Sequence, residues 1–327
     1  MKTSTIVRKW WVLIPLGILL WLAGAIFHPF EPRYDGRRLS AWATDMDFPN
    51  WPGESQTNEP PFLEIRDRHE KAAAAIQHIG NRALPIALKL CQTQDSSFSD
   101  RIEDWMDDRD GGIHIVPAYE KQNKGINIIR ALGPMAKPII PDLVRLLRHK
   151  ESAGAAAMAL GGIGPDAIPS LVECITDTNE YGRIHAIRAL QDMGDQGRPA
   201  VPALIRCLKD ENHTVRLEAA ISLRWTGGDP AVVVPAIVQC LDEETDSFQS
   251  TRIIAVLAGF GTNARPAIPE LVGIIESHNA NIAIHALGAL RKIDPETAKP
   301  YIKKWKASHT NEFLPFLAPN EQKVKQE

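Results

Sequence analysis

The sequence is poor in the features that usually announce chemistry. Four cysteines in 327 residues are too few for a disulfide framework. No Gly-rich phosphate loop of the Walker or Rossmann kind is present; GGIGPD at 161–166 is a fragment that the repeat register below explains as a helix end. No Ser-His-Asp or Cys-His arrangement emerges from spacing. A basic excess is also missing. The net charge is -3, which argues against a nucleic-acid partner, since phosphate binding needs clustered Lys and Arg. What is there is ordinary folded-protein material, 44% hydrophobic and 24% charged, long enough for one to three domains or a single elongated one.

The N-terminus is different in kind. Residues 10–27, WWVLIPLGILLWLAGAIF, carry no charge and follow Lys2, Arg8 and Lys9. Eighteen residues of helix span about 27 Å, just enough for a bilayer core. Trp10, Trp11 and Trp21 include interface-type anchors. Residues 10–28 are therefore expected to form one transmembrane signal anchor behind a basic segment at 1–9, with the N-terminus cytoplasmic and the rest extracytoplasmic. The alternative is a signal peptide cut after Ala25, because Ala23-Gly24-Ala25 has the small-residue pattern of a cleavage site. Arg33, Arg37 and Arg38 beyond the span nearly balance the basic residues before it, so orientation rests on the export-like arrangement.

Beyond the N-terminus the chain repeats itself. GPMAKPIIPDLVRLL (133–147), GDQGRPAVPALIRCL (194–208), GGDPAVVVPAIVQCL (227–241) and GTNARPAIPELVGII (261–275) are one phrase; a shorter copy, GPDAIPSLVECI, covers 164–175. Weaker copies lie at 80–91 and 294–305. From Gly133, the markers Gly164, Gly194, Gly227, Gly261 and Asp294 follow at a period of about 30–34 residues. Each unit reads as two helices. Before the glycine, apolar residues fall one, four and seven positions back, as in Met193, Leu190 and Ile187. The glycine ends that helix, and the prolines suit the first turn of the next. Counted from the last proline, positions +2, +3, +5 and +6 are apolar, as in Leu204, Ile205, Cys207 and Leu208. Such a hairpin cannot bury its apolar faces alone, but stacked hairpins share a core. Cys174, Cys207 and Cys240 share position +5, and Cys91 falls near the same place. Stacked helices are about 8–10 Å apart, too far for a disulfide, so these cysteines read as small core hydrophobes.

The A-x-x-A-L-x-x-I/M-G…A-x-P-A-I-P-x-L phrase resembles HEAT repeats, in particular the short HEAT-like kind found in phycobilin lyases. The resemblance spans 69–308 and implies an all-α fold: an α-solenoid of about seven helical hairpins behind the transmembrane helix. YDGRRLSAWA resembles a segment of membrane-anchored bacterial HEAT-like proteins. It lies in an expected linker at 29–68, with a short helix over SAWATDMD capped by Ser40. An insertion around 93–122 carries Asp100, Glu103, Asp104, Asp107, Asp108 and Asp110 about Trp105, and reads as a solvated loop. Lys303, Lys304 and Lys306 around Trp305 break the apolar code of the last unit, as terminal caps do. Residues 309–327 are a C-terminal tail. HEAT enzymes with two irons hold them through several His-Glu pairs; this chain has one, His69-Glu70, which cannot build such a site, and no metal or cofactor is expected. His185 and His285 share a position with Lys71, Lys124, Glu218 and Arg252, which reads as a solvated ridge.

The remaining surface signal is a stripe at +4 and +7 of the second helices: Arg145 and Arg148, Glu173 and Thr176, Arg206 and Lys209, Gln239 and Asp242, then Gly273 and Glu276. In HEAT arrays this stripe lines the concave side. One reading is a ladder of charges between repeats; the other, compatible with it, is a groove for a partner. Its mixed signs argue against nucleic acid. The expected function is a non-catalytic protein–protein scaffold at a membrane, binding a protein partner on the first eight of these residues. The alternative is a lyase-like or chaperone-like protein acting on a pigment or protein client.

Overall fold

The marker glycines end helices as expected. Gly80, Gly133, Gly164, Gly194, Gly227 and Gly261 all have positive φ, between 52° and 87°, a conformation other residues reach only with strain. A computed structural model describes residues 31–46, 60–95, 116–277 and 279–308. After five of these glycines the chain winds through a short 3-10 segment before the second helix starts. The tighter winding holds Pro138, Pro199 and Pro266, which have no N–H to donate. The expected apolar span at 10–27, the cleavage pattern, the acidic cluster at 100–110 and the tail lie outside the described residues. Among the described residues no helix is long and apolar enough to cross a membrane.

The chain divides into two compact units, at residues 139 and 140. The first opens with a hairpin, β1 (Arg33–Tyr34) and β2 (Arg37–Arg38), paired antiparallel with Tyr34 opposite Arg37. Asp35 and Gly36 both have positive φ, the geometry of a two-residue hairpin turn. Helix α1 (Leu39–Thr44) follows at once. Ser40 is not its cap: the cap position is Arg38, and the Glu31 carboxylate accepts the Ser40 N–H instead. Trp42 is buried, donates from Nε1 to the Tyr34 carbonyl at 3.2 Å, and has the Arg37 guanidinium 4.0 Å from its ring. Thus the short helix expected in YDGRRLSAWA is present, and a hairpin precedes it.

This segment sits on α2 (Pro60–Ile79), with the Tyr34 ring tilted against that of His78 at a centroid distance of 4.4 Å. Helix α2 begins nine residues before the expected start of the repeats at 69. Helices α3 (Leu84–Cys91) and α4 (Ala118–Leu132) complete the unit. The insertion between them leaves and returns at one place. The Asp95 carboxylate accepts the Ala118 N–H at 2.7 Å, and Gln122 Nε2 donates to the Thr93 carbonyl at 2.8 Å.

The second unit holds α5 (Ile140–Leu146), α6 (Ala153–Ile163), α7 (Ile168–Cys174), α8 (Glu180–Asp192), α9 (Val201–Cys207), α10 (His213–Trp225), α11 (Pro230–Asp242), α12 (Ser247–Gly259), α13 (Ile268–Glu276), α14 (Ala280–Ile293) and α15 (Pro295–Ser308). The first helices of the repeats, α6, α8, α10, α12 and α14, pack side by side in chain order. Alanines where these helices meet, such as Ala156, Ala186, Ala219, Ala220 and Ala286, are buried. The second helices follow their apolar code. Position +2 (Leu143, Leu171, Leu204, Ile237, Leu271) and position +6 (Leu147, Ile175, Leu208, Leu241, Ile275) are buried in the five repeats before the last, while +3 is half-buried. Trp305 is buried in α15 while Lys303, Lys304 and Lys306 are exposed, so the last helix closes the core with one aromatic side chain.

Candidate partner-binding face

All eight residues expected to bind a partner are exposed. Arg145, Glu173, Arg206 and Gln239 lie in α5, α7, α9 and α11, and Arg148, Thr176, Lys209 and Asp242 lie at or just beyond their ends. The core code explains why. With +2 and +6 turned inward, +4 projects between them to the opposite side of the helix. Their hydrogen bonds are mostly local. Arg145 pairs with Asp142 one turn back. Thr176 Oγ1 donates to the Glu173 carbonyl at 2.8 Å, and Gln239 Nε2 to Glu243 Oε1 at 2.9 Å. Among the described residues, Arg148 alone of the eight reaches the next repeat, donating from Nε and Nη2 to Asp177 Oδ2 at 2.9 and 2.5 Å. Among the described residues, Glu173, Lys209 and Asp242 enter no ion pair. The stripe is thus not a charge ladder from rung to rung.

The ladder exists one turn away, at the loops. Asn179, Asn212 and Asp246 cap α8, α10 and α12 with their side chains. Two residues before each cap, Asp177, Asp210 and Glu244 accept the cap residue's own N–H. Four residues after the first two caps stand Arg183 and Arg216. Arg183 Nη1 donates to the Asp177 and Thr178 carbonyls at 3.0 and 3.2 Å, and its Nη2 to Asp210 Oδ1 of the next repeat at 3.1 Å. Arg216 repeats the pattern: Nη1 to the Asp210 and Glu211 carbonyls, Nε and Nη2 to Glu244 Oε2 at 3.1 and 2.5 Å. Each arginine ties the loop before its helix to the loop of the following repeat. The signal was legible as D-x-N-x-x-x-R at 177–183 and 210–216.

The ridge that carries His185 and His285 is also not uniformly solvated. Glu218 is 7% exposed and accepts from Arg188 Nη2 of the neighbouring first helix at 2.7 Å. Burial, and then Arg188, hold the His185 imidazole below its ordinary pKa, with Glu218 opposing. The Glu218 carboxylate is satisfied by its neighbour, while Lys71, Arg252 and His285 of the same ridge are exposed.

The four cysteines are free and buried. Burial pushes the Cys91 thiol up to about 12 and those of Cys207 and Cys240 up to about 11. They are protonated at neutral pH and inert as nucleophiles. A thiol reagent at pH 8 is expected to leave all four unmodified in the native chain and to modify all four in denaturant. Fast labelling of native Cys207 or Cys240 would contradict their place in the core. Among the described residues no cluster of His, Cys, Asp and Glu could hold a metal ion.

Two family models match part of this array. The family model for HEAT repeats matches residues 168–258, and that for PBS lyase HEAT-like repeats matches residues 153–177. No curated protein matches the chain. Among solved structures, the crystal structure of Kap121p is similar at 13% identity and a TM-score of 0.48, covering 85% of this chain and 32% of that one. A multiply substituted mutant of Kap121p is similar at 12% identity and a TM-score of 0.49, with the same coverage. The chain therefore spans about a third of the length of those structures. The matched residues run from 153 to 258, so this stretch is built of HEAT-like repeats, and hairpins ended by the same positive-φ glycines continue on either side of it.

Proposed function

We propose that the chain is a non-catalytic protein-binding scaffold, held at a membrane by residues 10–27, and that a protein partner seats on the stripe from Arg145 to Asp242. The observation that carries this reading is a division of labour among the charges. Arg183, Arg188 and Arg216 are tied into the fold by buried or half-buried carboxylates. Glu173, Arg206, Lys209 and Asp242 are exposed at matching positions of three repeats, with no such role. A surface already fixed by stacked helices loses little entropy when a partner docks.

The test is capture from membranes with the N-terminal segment intact. Changing Arg145, Arg206 and Lys209 together to Glu is expected to weaken capture about tenfold or more, through lost charge complementarity. The melting midpoint should stay unchanged, because exposed charges contribute little to folding. Undiminished capture of the same partner would remove the stripe from the interface. Protease protection in intact cells tests the membrane placement: extracytoplasmic repeats are expected to be cleaved once any outer barrier is permeabilised, whereas cytoplasmic repeats would resist until the inner membrane is lysed.

A further inference from the structure

The opposite face of the second unit carries a groove that the stripe does not explain. It runs between the first helices α12 and α14 and encloses about 560 Å³. Its floor is made of small residues, Ala255, Ala258 and Gly288, so the two helices leave a trough instead of a filled seam. Phe248 stands on one wall, 67% exposed, and Ile282 on the other. Arg291 and Lys292 close one end, and no carboxylate occurs among the described lining residues. An exposed phenylalanine over an apolar trough beside two cations fits an apolar segment flanked by negative charge.

Such a segment follows in the same chain. Residues 312–321 read EFLPFLAPNE: four large apolar side chains in five residues, with Glu312 before and Glu321 after. The groove is within reach. Helices α14 and α15 are joined by a single residue and pack on each other, so the end of α15 returns toward the start of α14. The four residues before Phe313 can cover at most about 14 Å, against about 10 Å between packed helix axes. From Ser247 to Ala258 the groove follows α12 for about 16 Å, and residues 313–317 can span about 17 Å.

We propose that this groove is a docking site for an apolar segment flanked by carboxylates, and that its occupant is residues 313–317 of the same chain. Phe313, Leu314, Phe316 and Leu317 cover the trough, and an outside ligand of this face has to displace them. The experiment uses the full-length chain in detergent and has two arms. In the first, Phe313→Asp with Phe316→Asp is compared with the parent chain by hydrogen exchange. Exchange in α12 and α14 peptides covering 251–258 and 282–292 is expected to rise several-fold, with no change in α8. Unchanged exchange there would overturn the proposal. In the second, Ala255→Cys is combined with Leu314→Cys; the four native thiols are buried and do not compete. Mild oxidation is expected to close an intramolecular disulfide much faster than in the control pair Gly273→Cys with Leu314→Cys, whose first position lies on the second-helix side. Equal rates for the two pairs, or disulfide-linked dimers in place of the intramolecular product, would overturn the assignment, the dimers by naming a second copy as the occupant. Gly288→Leu gives an independent check: nothing lies within 4 Å of a Cβ at Gly288, so it fills the trough without disturbing the core. It is expected to raise exchange in peptides covering 313–317, and failure to do so would count against the proposal.

Discussion

Replacing Arg216 with alanine is expected to lower the unfolding free energy by about 3–5 kcal/mol, the range for removing one partner of a buried ion pair. The reason lies in what would be left behind. The Glu244 side chain is 1% exposed, and both guanidinium nitrogens that face it would vanish. Among the described residues its Oε1 keeps only the Asp246 N–H, while Oε2 would be left uncompensated on a side chain shielded from water. The Asp210 and Glu211 carbonyls would lose their shared donor as well. Urea denaturation of the single variant measures this. The double variant Arg216→Ala with Glu244→Gln is expected to recover a substantial part, since the orphaned charge is then gone. Arg145→Ala provides the contrast. Arg145 is 72% exposed and pairs within its own helix, so a change of about 0–1 kcal/mol is expected. If Arg216→Ala proved as mild as Arg145→Ala, the loop arginines would not be what fastens one repeat to the next.

The repeat architecture was legible because each of its signals is local. A positive-φ glycine, a proline in the next first turn and the +2/+6 apolar pair all concern residues within one hairpin. Each marker from Gly133 to Gly261 therefore stands where the register put it. What the sequence concealed depends on contacts between repeats. Arg183 and Arg188 are five residues apart in one helix and look alike on paper. One bridges two loops and the other clasps Glu218 across a helix seam. Only the stacking distinguishes them. The stripe shows the converse. Its exposure follows from the code within a single helix, whereas the pairing of its charges does not, and the rung-to-rung ladder gave way to local bonds at Arg145, Thr176 and Gln239. The segment at 31–46 was half legible. Asp35-Gly36 is a hairpin turn in miniature, but the burial of Trp42 and the Tyr34–His78 ring contact exist only because α2 lies beneath them.

Gly125 shows how far a non-local contact can reverse a local expectation. It sits in the middle of α4, where glycine is a poor helix former, and alanine would ordinarily stabilise the helix by about 1 kcal/mol. Here the opposite is expected. A Cβ at Gly125 would lie 2.8 Å from the Ala87 carbonyl oxygen, 2.9 Å from Cys91 Sγ and 3.0 Å from the Cys91 nitrogen, all on α3. Two of those three atoms are backbone and cannot rotate away, so α3 and α4 must separate. Forcing a methyl group into such a contact costs about 1–3 kcal/mol, and Gly125→Val should cost more. Gly273 in α13 is the matched control, because nothing lies within 4 Å of a Cβ there. Gly273→Ala is expected to raise the denaturation midpoint and Gly125→Ala to lower it. The close approach at Gly125 also bears on the insertion that separates α3 from α4. Roughly twenty additional residues lie between two helices that touch backbone to side chain, so the hairpin is closed by packing at this glycine and by the Asp95 and Gln122 bonds, not by a short loop. If Gly125→Ala stabilised the chain as Gly273→Ala should, the two helices would have to be held apart, and that account of the first unit would fail.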